Sequence, residues 1–282
     1  MNLSPSKVYQ WRTCRLAWWF RYVARAVPPN VEPWHLTRGT AAHAGLAMAY
    51  SLAANQVSAA RTHGRRMSDY EPEALEAFYD ALGPHANHPD RIWAAGALIE
   101  LLATLPVPAP LSIIAVERPF QFDTAGGRVE GVLDLAFRTG PDSLHIRDWK
   151  WSKTPEADGP QGVTYSIAGP LLFPWAKRVS IGFYSITHRT EDPMPLDEAV
   201  LNQGLEDLEY AGLEMADAIE AAQKNDVDPS KIFAPTLGEH CGSCVFRAYC
   251  PAYGGPPAEL TYPIDDVVST RADLLKRLEP TK

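Results

Sequence analysis

Cysteine is scarce in this chain, and long apolar runs are missing from it. Only four of its 282 residues are cysteines. No stretch approaches the roughly 18–20 apolar residues of a membrane span, because the longest candidate, 169–176, is short and contains two prolines. The first residues lack the apolar run of a secretion signal. We therefore expect a soluble cytoplasmic protein without membrane contact, in which thiols stay reduced and structural disulfides are disfavoured.

A nucleotide-binding loop of the form Gly-x-x-x-x-Gly-Lys-Ser/Thr is also missing from the sequence. The sequence therefore lacks the helicase signature that this loop provides. An activity that needs such a motor would have to borrow it from another protein.

The net charge of −8 argues by itself against a nucleic-acid partner, but the charge is unevenly distributed. Residues 1–70 carry +7, which leaves −15 for the remainder. A basic face on an acidic protein can bind a polyanion locally while the rest keeps the protein soluble. A solvated helix face would explain the same charges, so both interpretations stay open.

Helical patterns dominate the first hundred residues. Ser4 and Pro5 predict a helix start, and apolar residues then recur at helical spacing up to Pro28. A second helix is predicted from about residue 37 to about residue 60. The helical pattern over 70–105 is interpreted as an insertion rather than a separate domain.

Short segments rich in β-branched and aromatic residues follow this helical part. The predicted elements are strands over 113–122, 129–137 and 144–149, a helix over 161–175, a strand over 179–188 and an acidic amphipathic helix over 196–223. Helices followed by three strands, a helix, a strand and a helix predict an α/β domain with helical decoration.

The cysteines are clustered in the sequence. Cys241, Cys244 and Cys250 lie within ten residues, spaced by two and then five residues, whereas Cys14 lies near the other end. Four converging thiolates favour a metal or iron–sulfur site. Unconnected buried cysteines are the alternative that the clustering disfavours. Zinc ribbons usually have two Cys-x-x-Cys pairs and this chain has one, which favours iron–sulfur but leaves zinc open.

Two predicted strands end in acidic residues. Asp134 lies on one strand, and Asp148 and Lys150 lie on the next, where residues two apart share a face. If the strands pair in register, Asp134 lies beside Asp148. Two carboxylates can bind a divalent cation, and a lysine can stabilise a developing anion. A salt bridge on an exposed strand face is the alternative explanation of the Asp-x-Lys pattern.

Together these motifs resemble the PD-(D/E)XK nuclease superfamily. The resemblance is to the RecB-like branch with a four-cysteine iron–sulfur cluster, which includes the AddB nuclease domain and the single-strand exonucleases associated with CRISPR adaptation. The motifs are, in order, Ser4–Cys14 with the aromatic residues after it, Gly39-x-x-x-His43, Gly131–Asp134, Asp148-Trp149-Lys150, Gln161-x-x-x-Tyr165 and the three late cysteines. Three positions depart from the family pattern: Leu133 for a proline, Gly162 for a leucine, and Trp151 for a small hydroxyl residue.

The resemblance implies a catalytic centre between the two ends of the chain. His43, Asp134 and Asp148 would bind Mn²⁺ or Mg²⁺, joined by the backbone carbonyl of Trp149. Glu117, on the first predicted strand, is either another acid of the site or a solvated residue at the strand edge. The remaining site residues would be catalytic: Lys150 would activate water and stabilise charge on phosphorus, and Gln161 and Tyr165 would position the DNA backbone or the lysine.

Other residues are predicted to hold the cluster or the nucleic acid. By resemblance, Cys14, Cys241, Cys244 and Cys250 would bind a [4Fe–4S] cluster. Arg12, Arg15 and Arg38 are predicted nucleic-acid contacts. The aromatic residues of the basic segment could stack exposed bases, or half of them face the core, as helical spacing demands; they are Trp11, Trp18, Trp19 and Tyr22.

The implied fold is a restriction-endonuclease-like α/β core, a mixed central sheet flanked by helices, with a helical insertion and an iron–sulfur staple. We expect one nuclease domain over 1–282. It would comprise N-terminal helices (1–60), the insertion (61–110), the catalytic core (111–190), and a C-terminal helix with the cysteine segment (191–282).

The implied function is that of a metal-dependent DNA exonuclease acting on single strands or ends. It would serve recombination, repair or phage DNA processing in a bacterial or phage-infected cell, with a helicase or recombination partner. Two alternatives stay open: a non-catalytic DNA-binding or scaffold subunit on the same fold, and a nuclease subunit of CRISPR spacer acquisition. The presence of Asp134, Asp148 and Lys150 favours catalysis over the scaffold.

Overall fold

The computed structural model describes residues 1–26, 28, 33–55, 66–105, 112–151, 159–191, 193–195, 197–224 and 228–255. Parts of the predicted second helix (56–60), of the insertion (61–65 and 106–110) and of the C-terminal segment (256–282) lie outside the described residues. The chain divides into two compact units. The first comprises Met1–Glu32, Gln121–Gly131 and Asn202–Lys282, and the second comprises Pro33–Phe120 and Val132–Leu201. A single nuclease domain stays a prediction.

The basic N-terminal segment of the first unit is broken where the sequence predicts a continuous helix. Helix α1 covers Pro5–Thr13 and begins at Ser4, whose hydroxyl accepts a hydrogen bond from the Lys7 amide. Helix α2 covers Arg15–Tyr22. Between them Cys14 is extended, with φ −160° and ψ 109°. The prediction of one helix is therefore wrong at Cys14, the residue that the sequence singles out as a ligand.

The core of the first unit is built from aromatic side chains. Trp11, Trp18 and Trp19 are at most 5% exposed. Their rings contact that of Phe233, with centroids 6.3, 6.1 and 6.0 Å apart. Phe233 follows the short helix α8, Pro229–Ile232. These three tryptophans are therefore not available to stack bases, which corrects the expectation from the sequence, whereas Tyr22 is half-buried.

A long acidic helix and a strand turn meet within the first unit. Helix α7 covers Glu198–Lys224. A Cβ atom at Gly212 of this helix would lie 2.3 Å from the carbonyl oxygen of Gly126, in the turn between two strands. The Ala125 amide donates a hydrogen bond to Glu209 Oε1 at 3.0 Å. The close approach of helix and turn therefore requires a residue without a side chain at position 212.

A mixed sheet forms the frame of the second unit. Strands β2 (Ile113–Thr124) and β3 (Gly127–Gly140) pair with each other. The first residues of β3 belong to the first unit and pair there with β1 (Asn2–Leu3). Strand β4 (Ser143–Lys150) runs antiparallel to β3 and parallel to β5 (Arg178–Ser185), which pairs with β6 (Met194–Pro195). Helix α6 (Pro160–Leu172) connects the parallel strands. The predicted α/β pattern agrees with this arrangement, although β5 ends at Ser185 and not at 188.

Three helices supply the apolar core of the second unit. They are α3 (Trp34–Asn55), α4 (Glu71–Ala81) and α5 (Arg91–Thr104). Leu46, Phe78 and Leu98 are fully buried in one cluster with Trp149 of β4. A Cβ atom at Gly45 would lie 2.8 Å from the Ala74 carbonyl oxygen, so glycine permits this close packing. The cluster fixes α3 against the end of β4, where the candidate site lies.

None of the helices in the described ranges has both the length and the apolar character required to cross a membrane.

Candidate active site

The strand register brings the predicted acids together. Leu135 pairs with Arg147 in the antiparallel ladder of β3 and β4, so the next position sets Asp134 opposite Asp148. The Trp149 amide donates a hydrogen bond to Asp134 Oδ2 at 2.9 Å. Both carboxylates are buried. The expected proximity of the two acids is therefore present within the second unit.

His43 links helix α3 to both strands. Its Nδ1 lies 3.1 Å from Asp134 Oδ2, and its Nε2 lies 2.7 Å from the carbonyl oxygen of Trp149. Burial opposes a charge on the imidazole, but the hydrogen bond and negative charge of Asp134 raise the pKa of His43 to about 9. Protonated, the ring donates to both oxygens. The histidine of the Gly39-x-x-x-His43 motif therefore lies in the candidate site.

Asp148 is held by three polar groups. Its Oδ1 accepts hydrogen bonds from Gln161 Nε2 at 2.6 Å and from the Tyr165 hydroxyl at 2.9 Å. Its Oδ2 lies 2.5 Å from the Lys150 ammonium. Burial and then the charge of Asp134 raise the pKa of Asp148, against the effect of Lys150. The one-turn spacing of Gln161 and Tyr165 on α6 places both side chains on this carboxylate.

Glu117 enters the site from a strained backbone position. It lies within β2 with φ +47°, in the left-handed region that non-glycine residues rarely adopt. Partial desolvation of the carboxyl group and the charge of Asp134 raise its pKa to about 7. Strain of this kind costs roughly 1–3 kcal/mol and is concentrated at functional sites. No sequence signal indicated this conformation.

One group of donors in the second unit can accept a metal ion. Ligand atoms of His43, Glu117 and Asp134 lie within 4.8 Å of one another. Two carboxylates and an imidazole match the ligand preferences of Mn²⁺, and the carboxylates those of Mg²⁺. The donor set therefore fits a divalent cation. The other predicted ligands contact neighbouring side chains: Asp148 contacts Lys150, Gln161 and Tyr165, and the Trp149 carbonyl contacts His43.

The four cysteines converge within the first unit. They are free thiols that line one cavity. Burial raises the pKa of the Cys244 thiol, and the charges of the other three cysteines act in the same direction. His240 Nε2 lies 3.7 Å from Cys241 Sγ, a contact to which the sequence assigned no role. Four thiols around one cavity fit a group held by cysteine ligands.

The predicted nucleic-acid residues have different surroundings. In the first unit, Arg12 lies 3.1 Å from Asp207, and Arg15 lies 2.9 Å from Glu214. Both acids belong to α7, so the basic segment is partly neutralised within its own unit. In the second unit, Arg38 contacts aromatic rings. A role for all three in nucleic-acid binding stays a prediction.

Comparison with known proteins gives a family. The model of the PD-(D/E)XK nuclease superfamily matches residues 2–251. No sequence relative was found among curated proteins. A solved structure from Eubacterium rectale, provisionally described as an exonuclease, is 12% identical, with 86% of each chain covered and a TM-score of 0.49. The solved structure of SSO0001 is 15% identical over 73% of this chain and 95% of its own, with a TM-score of 0.33.

Proposed function

Because the chain belongs to the PD-(D/E)XK nuclease superfamily, we propose that it is a metal-dependent DNA exonuclease that hydrolyses phosphodiester bonds in single strands or at DNA ends. The observation that carries the proposal is the convergence of His43, Glu117 and Asp134 beside the Asp148–Lys150 pair. The family implies a DNA substrate, whereas single strands or ends, and a helicase or recombination partner, are parts of the proposal.

The proposed metal site uses the donors that already lie together. His43, Glu117 and Asp134 would hold Mn²⁺ or Mg²⁺, with Asp148 and the Trp149 carbonyl as further ligands. Such an ion lowers the pKa of a water molecule and offsets phosphate charge. Metal binding requires a neutral imidazole, so the proton on His43 would be released when the ion binds.

Lys150 would act on the phosphate group. Its ammonium lies at the end of β4, paired with a carboxylate that Gln161 and Tyr165 hold in place. A fixed positive charge stabilises the extra negative charge that develops on phosphorus during attack. Gln161 and Tyr165 would act through Asp148 and not on the substrate.

The test is digestion of end-labelled single strands with Mn²⁺ or Mg²⁺. We expect Asp134→Asn and Lys150→Ala to lower the rate by at least about 10²–10³-fold. Asp80→Asn and Lys177→Ala, at exposed positions, are the matched controls. Circular single strands should resist digestion if the enzyme needs an end. Equal rates for wild type and both site variants would refute the catalytic assignment.

The same experiment addresses the scaffold alternative. A DNA-binding subunit without catalysis would bind the strands and release no nucleotides with either metal. A nuclease for CRISPR spacer acquisition would share the site and differ in its partners. The complete set of Asp134, Asp148 and Lys150 favours catalysis over the scaffold.

We also propose that the four cysteines hold a [4Fe–4S] cluster, as in the RecB-like branch. They line one cavity. Zinc ribbons usually have two Cys-x-x-Cys pairs, and this chain has one, Cys241 and Cys244. The single pair favours the cluster over zinc.

Anaerobic purification tests the cluster. We expect a brown protein with iron and sulfide in equal amounts, and a colourless Cys250→Ser variant, with Ser243→Ala as the coloured control. A colourless wild type with one zinc per chain would overturn the assignment without affecting the nuclease proposal.

A further inference from the structure

Two tryptophans form an exposed pair in the second unit. Trp93, near the start of α5, is 56% exposed. Its ring lies 5.6 Å from that of Trp151, at an interplanar angle of 59°. An indole in water carries a large apolar area without burial, and such surfaces mark binding sites more often than chance. More than half of Trp93 is exposed to solvent, where a planar ligand can contact it.

Arg38 adds a positive charge to this pair. Its guanidinium carbon lies 4.3 Å from the Trp151 ring centroid and 5.6 Å from that of Trp93. Within the described ranges, no carboxylate lies within 4.0 Å of it, and its buried Nε has no hydrogen-bond partner. Arg12, Arg15 and Arg147, in contrast, all have ion pairs. The positive charge of Arg38 is therefore not neutralised by an ion pair within the described residues, and it can attract an anion.

Two connections along the chain link this cluster to residues of the candidate catalytic site. Trp151 directly follows Lys150. The carbonyl oxygen of Trp151 accepts a hydrogen bond from the Thr187 amide at 3.0 Å. Arg38 precedes His43 by five residues on α3. Because the Cα atoms of consecutive residues lie about 3.8 Å apart, a strand whose phosphate reaches Lys150 would pass close to Trp151 of the Arg38–Trp93–Trp151 cluster.

From these contacts we propose that Arg38, Trp93 and Trp151 bind one unpaired nucleotide of single-stranded DNA. The base stacks on Trp93, with Trp151 supporting the ring, and Arg38 binds the adjacent phosphate. The identity of the polymer rests on the proposed nuclease function. Stacking contributes roughly 1–3 kcal/mol per base and requires a base that is not already stacked in a duplex. The subsite thus selects single strands over duplexes.

Asp90 lies near enough to act on the charge of Arg38. Its negative charge partly offsets the attraction of Arg38 for phosphate. Asp90→Asn keeps a residue type suited to the start of α5 and should tighten single-strand binding at low salt.

Equilibrium binding without divalent cations tests the subsite, since no strand is cut. The probes are a labelled single-stranded oligonucleotide, the same sequence as a blunt duplex, and a strand with abasic positions. We expect Trp93→Ala to weaken single-strand binding about tenfold or more and duplex binding little. Trp93→Phe should retain most of the affinity. Arg38→Gln should weaken single-strand binding and lower its salt dependence by about one phosphate contact.

Tyr79→Ala is the matched control, because Tyr79 is an exposed aromatic residue on α4 of the same unit. The proposal is overturned if Trp93→Ala binds single strands as tightly as the control does. Equal losses on single strand and duplex, or unchanged wild-type affinity for abasic strands, also overturn it. If the wild type cuts DNA and Trp93→Ala binds single strands normally, only the proposed subsite is refuted. If single-strand binding depends on Trp93 but the wild type does not cut DNA, only the proposed nuclease function is refuted.

Discussion

Buried charges in the second unit are each held by several partners. Asp148 has three, and Glu191 has a similar set: its carboxylate accepts hydrogen bonds from Arg147 Nε at 2.8 Å and from His145 Nε2 at 3.0 Å. A Cβ atom at Gly182 would lie 2.2 Å from Glu191 Oε1, so glycine makes room for the carboxylate. A buried charge is tolerated only with such partners. Loss of one partner should therefore slow DNA cleavage at Asp148 and lower the stability of the protein at Glu191.

Gln161→Ala should slow DNA cleavage about 10–100-fold, the usual effect of removing a group that orients a metal ligand. Asp148 would lose its 2.6 Å hydrogen bond and keep the hydrogen bond from Tyr165 and the ion pair with Lys150. Steady-state kinetics at several Mn²⁺ concentrations should show a higher metal requirement. Gln203→Ala, on α7, is the control. Unchanged metal dependence would contradict a role through Asp148.

Glu191→Gln should destabilise the protein by about 3–5 kcal/mol at neutral pH, because the buried Arg147 loses its counter-charge. Burial alone would raise the pKa of Glu191, but hydrogen bonds from His145 and Arg147 lower it to about 2. A lowered pKa gives stability that is complete above the ordinary value of 4.5 and is lost as pH falls toward 2.

Urea unfolding of wild type and Glu191→Gln at a series of pH values measures this effect. The gap in unfolding free energy should stay constant from neutral pH to about 5 and narrow below about 4.5. A gap that is independent of pH down to about 3 would exclude titration of Glu191 as its origin.

At the scale of elements, the strands and most helices follow from sequence patterns, because alternation and helical periodicity reflect burial directly. The break at Cys14 does not, since Trp11, Leu16 and Trp19 continue the helical spacing across it. The partners of Arg12 and Arg15 lie about two hundred residues away on α7, and no local pattern can indicate them.

The candidate site also contains some features that the sequence predicts and others that it does not. Asp134, Asp148 and Lys150 were predictable because strand pairing follows a simple register, and His43 because of its motif. The positive φ of Glu117 and the orientation of Asp148 toward α6 depend on tertiary packing. In the sequence, Trp151 is only a departure from the family pattern, yet in the structure it contacts both Arg38 and Trp93.

Gly212→Ala should destabilise the first unit by about 1–3 kcal/mol through overpacking. An alanine inside a helix normally stabilises by about 0.5–1 kcal/mol over glycine, but here the added Cβ would meet the Gly126 carbonyl. Gly96→Ala, on α5 with open space around it, is the matched control and should stabilise. Thermal unfolding measures both. Stabilisation by Gly212→Ala would contradict the described contact of helix and turn.

At the scale of the whole molecule, the first unit is assembled from three separate chain segments. Cys14 belongs to the first segment, and the other cysteines belong to the last. The proposed cluster would close a loop of more than two hundred residues. Cross-linking over such a distance reduces the entropy of the unfolded chain by an amount worth about 5 kcal/mol.

Cys14→Ser should therefore lower the thermal unfolding temperature of anaerobically purified protein by several degrees or more. Ser243→Ala, beside the cysteines but without a thiol, is the control. Scanning calorimetry should show the loss, and chelation of iron from wild type should reproduce it. An unchanged unfolding temperature after the cluster has been removed would rule out a stabilising role.

The three-segment composition of the first unit also bears on the order in which the chain is synthesised. Trp11, Trp18 and Trp19 are translated more than two hundred residues before their ring partner Phe233. The second unit can fold during that interval, since domains form as they emerge. Until then, these tryptophans lack the ring of Phe233 against which they pack. A chain truncated before Phe233 would therefore expose an aggregation-prone aromatic segment and become a substrate for chaperones and proteases.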